Sequence, residues 1–144
     1  MRKSTFSEFF NNTTELEEES LYLVKDTNNF CLYIGISNTG IWNRWFSSSC
    51  SSHMILNHNG KWYGESAIGQ EIADNFPDSG NWLMEFYTVL DCAKLLNIDY
   101  QINDEDVRIL NFNKSGWKTA RIEDMEKKMI ERFNPKLNVI YNTL

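Results

Sequence analysis

Glu126 is an acid among apolar residues. Between Thr119 and Phe133 the side chains of Ile122, Met125, Met129, Ile130 and Phe133 recur with helical spacing, and at about 100° per residue Glu126 falls inside their stripe. Asp124 and Glu131 fall on the opposite face with Lys127 and Lys128, and Glu123 sits at the stripe edge. Taking a carboxylate off water is costly unless it is paired, hydrogen-bonded or bound to a cation. Glu126 therefore either snorkels to the stripe edge, is half of an ion pair with Arg44 as a candidate partner, or is a functional carboxylate. Two phenols, Tyr22 and Tyr33, flank a polar turn in "LYLVKDTNNFCLYIG" (21–35) and are either packing residues or part of the same site.

The elements that must carry these groups follow from the pattern. Leu21–Val24 and Phe30–Ile34 are β-favouring runs around Asp26-Thr27-Asn28-Asn29, which predicts a hairpin. A symmetric loop of two or four residues would set Tyr22 opposite Tyr33 on one face, with Cβ atoms about 5 Å apart. An odd loop would send one phenol to the other face. Ile41, Trp42, Trp45 and Phe46 predict a short helix beginning near Gly40, with Arg44 at its edge, ended by the serines of 47–52. A second helix is expected at Ser66–Phe76, stopped by Pro77 and Gly80, and a central strand at 81–90. Residues 91–118 look like an irregular insertion with one short helix at Ala93–Asn97. Asn134-Pro135 terminates the long helix, and 137–144 reads as extended. The first nineteen residues are polar and read as a peripheral helix outside the core, leaving 20–144 as one domain.

Bulk properties narrow the chemistry. The chain has 144 residues, 42% of them hydrophobic, enough for a core without staples. Fourteen Lys and Arg against twenty Asp and Glu give a net charge of −6, the wrong sign for holding nucleic acid by bulk electrostatics. Any phosphate contact must be local, and Lys114–Lys136, with seven basic residues against four acidic, leaves room for a basic patch. Cys31, Cys50 and Cys92 lack any CxxC, so free thiols in a reducing cytoplasm are expected. No apolar run approaches the roughly 20 residues of a membrane span, nor is there a signal-peptide core.

With these residues in hand, the chain resembles the GIY-YIG nuclease superfamily. "SLY" (20–22) stands where that family has GIY, "YIG" (33–35) matches its second motif, and Arg44 in "NRW" fits its arginine. "EKKMIERFNPKLN" (126–138) fits its C-terminal pattern of glutamate, apolar helix, proline and asparagine. The resemblance implies an α/β domain of α+β type: a small three-stranded antiparallel sheet flanked by helices, with an insertion before the catalytic helix. It also implies hydrolysis of DNA phosphodiesters with one divalent metal, Mg²⁺ or Mn²⁺. Glu126 would be the metal ligand, Arg44 the phosphate clamp, Tyr22 and Tyr33 the phenols that activate or orient water, and Asn138 a supporting contact. The chemistry is consistent, since Mg²⁺ accepts one protein carboxylate with waters and substrate oxygens. Arginine grips phosphate with a planar fork of donors.

The departures carry expectations of their own. Ser20 and Leu21 replace the first glycine and isoleucine, and the interval from YIG to Arg44 is one residue longer, so a turn or bulge must re-aim the arginine. Ser48 stands where many members carry His or Tyr; a serine is a poor base, and His53 is the candidate replacement if it is not simply a surface or hydrogen-bonding histidine. His53 and His58 do not share a helix face and are not read as a metal pair. Trp42, Trp45, Trp62 and Trp82 could stack on bases, but core positions suit most of them better. Only six residues follow Asn138, so target choice is expected from 54–118, the N-terminal segment, a homodimer or a partner protein. The competing reading is a nucleic-acid or protein binding module on the same scaffold that has lost efficient chemistry.

Overall fold

The computed structural model describes residues 1–11, 19–38, 40–46, 53, 56–58, 61–102, 108–111, 117–119 and 121–138. Its centre is an antiparallel sheet of four strands, not three. Strands β1 (Arg2–Thr5), β2 (Leu21–Lys25), β3 (Cys31–Ile36) and, much later in the chain, β6 (Leu83–Tyr87) lie in the order β1-β6-β2-β3. The fourth strand corrects the reading of the N-terminus: β1 pairs with β6, and the helix after it, α1 (Phe6–Asn11), buries Phe6 and Phe9 in the core. Phe6 and Phe9 are spaced three apart on one helical turn. With the sheet edge beside them they close one side of it.

Each face of the sheet carries its own core. On one face Tyr22, Val24, Met84 and Phe86 pack with α1, with Ile41 and Trp45 of α2 (Ile41–Phe46), and with Ile68 and Ile72 of α3 (Ala67–Asp74). On the other, Leu21, Leu23, Ile34 and Tyr87 pack with Cys92 and Ala93 of α4 (Val89–Leu95) and with Ile122, Met125, Met129 and Ile130 of α5 (Ile122–Phe133). The apolar stripe expected on α5 is thus the stripe that docks.

Between these elements the chain adds two hairpin-like pieces the sequence reading lacked. One is β4 (Leu56–His58) with β5 (Lys61–Tyr63); the other is the three-stranded meander of β7 (Asp99–Ile102), β8 (Arg108–Asn111) and β9 (Trp117–Thr119). The described residues of 91–118 are therefore mostly in regular elements, the rest of α4 and the strands of this meander. Helix α4 starts earlier than expected because Thr88 and Asp91 form a capping box, with Asp91 N–H donating to Thr88 Oγ1 at 3.0 Å and Thr88 N–H to Asp91 Oδ2 at 3.0 Å. Among the described residues no helix is long and apolar enough to cross a membrane.

The hairpin register differs from the expected one, with a consequence for the site. Asp26 N–H donates to Phe30 O at 3.0 Å, leaving a three-residue loop in which Asn29 takes φ 66°. That odd loop alone would separate the tyrosines. A bulge follows at once: Lys25 pairs with Cys31 but Val24 pairs with Tyr33, so Leu32 is the extra residue. The two offsets together shift the pairing by two residues. Tyr22 therefore faces Gly35, not Tyr33, and Tyr33 lies diagonally beside it on the same face.

Candidate functional site

Tyr22 and Tyr33 stack with ring centroids 6.1 Å apart and planes at 26°. The Tyr22 ring lies directly across Gly35; a Cβ there would overlap the phenol end of the ring, which is why the position opposite Tyr22 carries no side chain. Tyr22 is fully buried, whereas Tyr33 is half-buried. The two phenols are not equivalent: one is sealed and the other reaches the surface.

Arg44 comes from α2, entered through a tight turn in which Ser37 O–H donates to Gly40 O at 2.8 Å and Gly40 takes φ 109°. Its guanidinium interacts with both phenols, opposing the effect of burial on each. Its Nε is buried and has no hydrogen-bond partner among the described residues. A buried N–H without an acceptor costs free energy until something supplies one.

His53 is a central member of the group and not a surface residue. Its Nε2 lies 2.5 Å from the Tyr22 hydroxyl and its Nδ1 2.5 Å from Ser66 Oγ. Its backbone ties two helices together: His53 N–H donates to Arg44 O at 2.8 Å, one of the carbonyls left open by the short α2, and Glu65 N–H donates to His53 O at 3.0 Å. The ring sits edge-on to both tyrosines and 4.2 Å from the Trp45 ring. Ser66 is the residue sequence reasoning missed. It was visible as the start of α3, where it caps Gly69 N–H at 3.0 Å, but nothing in a sequence shows that a cap oxygen takes a second partner thirteen residues upstream.

Glu126 is half-buried on α5, which packs against the edge strand β3. Its charge is felt by both tyrosines, and it in turn feels Arg44. Burial pushes its pKa up; Arg44 opposes this and Glu123 adds to it. The end of α5 is fastened by the chain after it. Asn134 closes the helix at φ 45°, Leu137 N–H donates to Leu32 O at 2.9 Å, and the Asn138 amide accepts from Ile34 N–H at 2.8 Å and donates to Ile34 O at 2.7 Å. Asn138 thus acts as one more rung on the free edge of β3. Asn138→Ala is expected to lose about 1–2 kcal/mol in urea unfolding, and an unchanged midpoint would show that the rung holds nothing.

Burial pushes the pKa of both phenols up, Tyr22 far above the ordinary tyrosine value with Tyr33 adding to the effect, and pushes His53 down to about 3, with Arg44 reinforcing it. His53 is neutral in the folded chain over the whole range where an unfolded histidine gains its proton. The folded state binds fewer protons there, so stability is full above about pH 6.5 and falls as pH drops towards 3. The expected slope is about 1.4 kcal/mol per pH unit from this one group. His53→Gln should flatten urea-melt stability across that window; an unaltered slope would mean the ring is not held neutral by burial.

Among the described residues no three His, Cys, Asp or Glu side chains cluster around a metal position. Of the residues expected at the site, Glu126 is the carboxylate, and a divalent cation bound there would take its oxygen with water and substrate oxygens completing the shell. The half-buried carboxylate, whose charged form burial penalises, fits that arrangement. Trp45 and Trp82 are buried and Trp42 packs on the core, as expected for core tryptophans. Cys31 and Cys92 are free thiols whose pKa burial raises to about 12. Ser48, Cys50 and residues 139–144 lie outside the described residues, as do the side chains of Trp62 and His58. No protein-family model, curated protein or solved structure matches the chain.

Proposed function

We propose that the chain is a GIY-YIG-like, divalent-metal-dependent endonuclease acting on DNA phosphodiesters. The observation that supports this best is the buried Nε of Arg44, without a hydrogen-bond partner among the described residues, beside two phenols and with the Glu126 carboxylate in its field. A phosphate oxygen satisfies such a donor and gains charge in the transition state, where a fixed cation is worth most. Glu126 would hold Mg²⁺ or Mn²⁺, which when bound supplies positive charge at the phosphate and a more acidic water. Arg44 holds a non-bridging oxygen. Tyr33, the phenol that reaches the surface, orients the attacking water; the water oxygen bonds phosphorus as it gives up a proton to bulk water, the bridging P–O bond breaks, and the leaving oxygen takes a proton from bulk water. Lys127, Arg132 and Lys136 are exposed on or beside α5, interspersed with the exposed Glu123, Asp124 and Glu131, and are the cations there for neighbouring phosphates.

Purified protein incubated with supercoiled plasmid, single-stranded DNA and branched DNA is expected to cut at least one of them in Mg²⁺ or Mn²⁺ and none in EDTA. Cutting that is indifferent to EDTA, or binding without any metal-stimulated cutting, would overturn the reading.

A further inference from the structure

Three groups in a row bridge α3 to Tyr22: Gly69 N–H to Ser66 Oγ, Ser66 Oγ to His53 Nδ1, and His53 Nε2 to the Tyr22 hydroxyl. The direction of this chain follows from what each end can accept. Tyr22 is sealed, and its oxygen already receives a donor from Arg44, a side chain that can only donate. Sealed from bulk solvent, the Tyr22 hydroxyl has His53 Nε2, 2.5 Å away, as the acceptor for its proton. Nε2 must then be unprotonated, so the proton of the neutral ring sits on Nδ1 and is donated to Ser66 Oγ. At the other end Ser66 accepts from both Gly69 N–H and His53 Nδ1–H, and because it is half-exposed its own proton can go to solvent. The reverse direction strands the Tyr22 proton in a buried site.

We infer that Ser66 is a positioning residue for the Arg44 clamp: by accepting His53 Nδ1–H it fixes the ring tautomer, which directs the Tyr22 proton away from Arg44 and leaves the Tyr22 lone pairs to hold the guanidinium. The carbonyl of His53 is set by the same helix end, since Glu65 N–H donates to it and Gly69 packs against it too closely for a side chain. The inference rests on the nuclease reading only for its effect on cleavage; the tautomer is a property of the chain itself.

The test uses ¹⁵N-labelled protein and three forms: wild type, Ser66→Gly and Ser66→Thr. Glycine is tolerated as a helix N-cap but lacks the hydroxyl, and threonine restores it. The chain has two histidines, so a His58→Gln background assigns the His53 ring. In wild type and Ser66→Thr, His53 Nδ1 should give the protonated signal and Nε2 the unprotonated one, and Ser66→Gly should lose that pattern while retaining its helical circular dichroism. In parallel, single-turnover cleavage in Mg²⁺ should fall at least about tenfold in Ser66→Gly, as when the partner orienting a functional histidine is removed, and return in Ser66→Thr. A proton on Nε2 in wild type, an unchanged His53 spectrum in Ser66→Gly, or unchanged cleavage in that variant would each overturn the inference. Absence of cleavage in wild type would sink the nuclease reading, and the spectra would then decide the tautomer alone.

Discussion

Glu126→Ala should remove Mg²⁺-dependent cleavage of plasmid DNA by a factor of at least about 10³, and it should do so without weakening the fold. Both halves of this expectation come from the site. Burial raises the Glu126 pKa, so its charged form is disfavoured in the folded chain and contributes less and less to stability as pH rises through the folded pKa. Its removal at neutral pH therefore leaves the melting temperature unchanged or higher. A purely structural ion pair with Arg44 predicts the reverse, a lower melting temperature with cleavage intact, and that result would end the assignment. The companion variant Arg44→Ala should slow cleavage while leaving metal binding in place. Arg44→Lys should not restore the rate, since lysine has no counterpart to the buried Nε donor.

Gly35→Ala should be among the most damaging single-methyl changes in the chain. The added Cβ would lie 2.5 Å from Tyr22 Cζ, closer than real Cβ contacts. The ring cannot swing aside, because its hydroxyl is bonded to His53, its edge meets Trp45 at 5.3 Å and its face is stacked on Tyr33. Over-packing of this kind costs about 3 kcal/mol, a fall in melting temperature on the order of 10 °C. Since displacing Tyr22 also displaces the brace on Arg44, cleavage should be lost at temperatures where the variant is still folded. A thermal melt and a cleavage assay at 20 °C below its midpoint separate the two effects. A variant that melts and cuts like wild type would mean that Tyr22 does not lie over Gly35.

What could be read from the sequence was what repeats with a period. The α5 stripe with Glu126 inside it, the α3 stripe of Ile68 and Ile72, and the hairpin at Tyr22 and Tyr33 were legible because burial imposes 3.6-residue and two-residue spacing on them. The register was not, because it depends on Asn29 adopting φ 66° and on Leu32 bulging, choices made by a few backbone torsions that leave no pattern. The first strand was missed because Arg2–Thr5 has no apolar alternation; it is held by the backbone of β6 and by the two phenylalanines after it. The Thr88–Asp91 capping box is present in the sequence, with aspartate in place of the usual glutamate, but the expected boundary at residue 90 divides it between strand and insertion. His53 could be nominated, but not placed. Its position is decided by Arg44 O and by the cap of α3, both far from it in the chain. Glu85 shows the opposite case, an acid in the central strand whose partners, Lys25 at 3.1 Å and the Tyr87 hydroxyl at 2.7 Å, answer it on the sheet face away from the tyrosines.

The double offset in the hairpin makes the site sensitive to length in a particular way. An odd loop and a bulge each reverse which side of the sheet a residue points to, and only their combination brings Tyr22 and Tyr33 to one side with Gly35 beneath the ring. Gaining or losing a single residue between Lys25 and Leu32 would therefore transfer one phenol to the layer occupied by α4 and α5, while two such changes would return it. Descendants of this chain can vary the loop freely in composition, but in length they are free only by even steps.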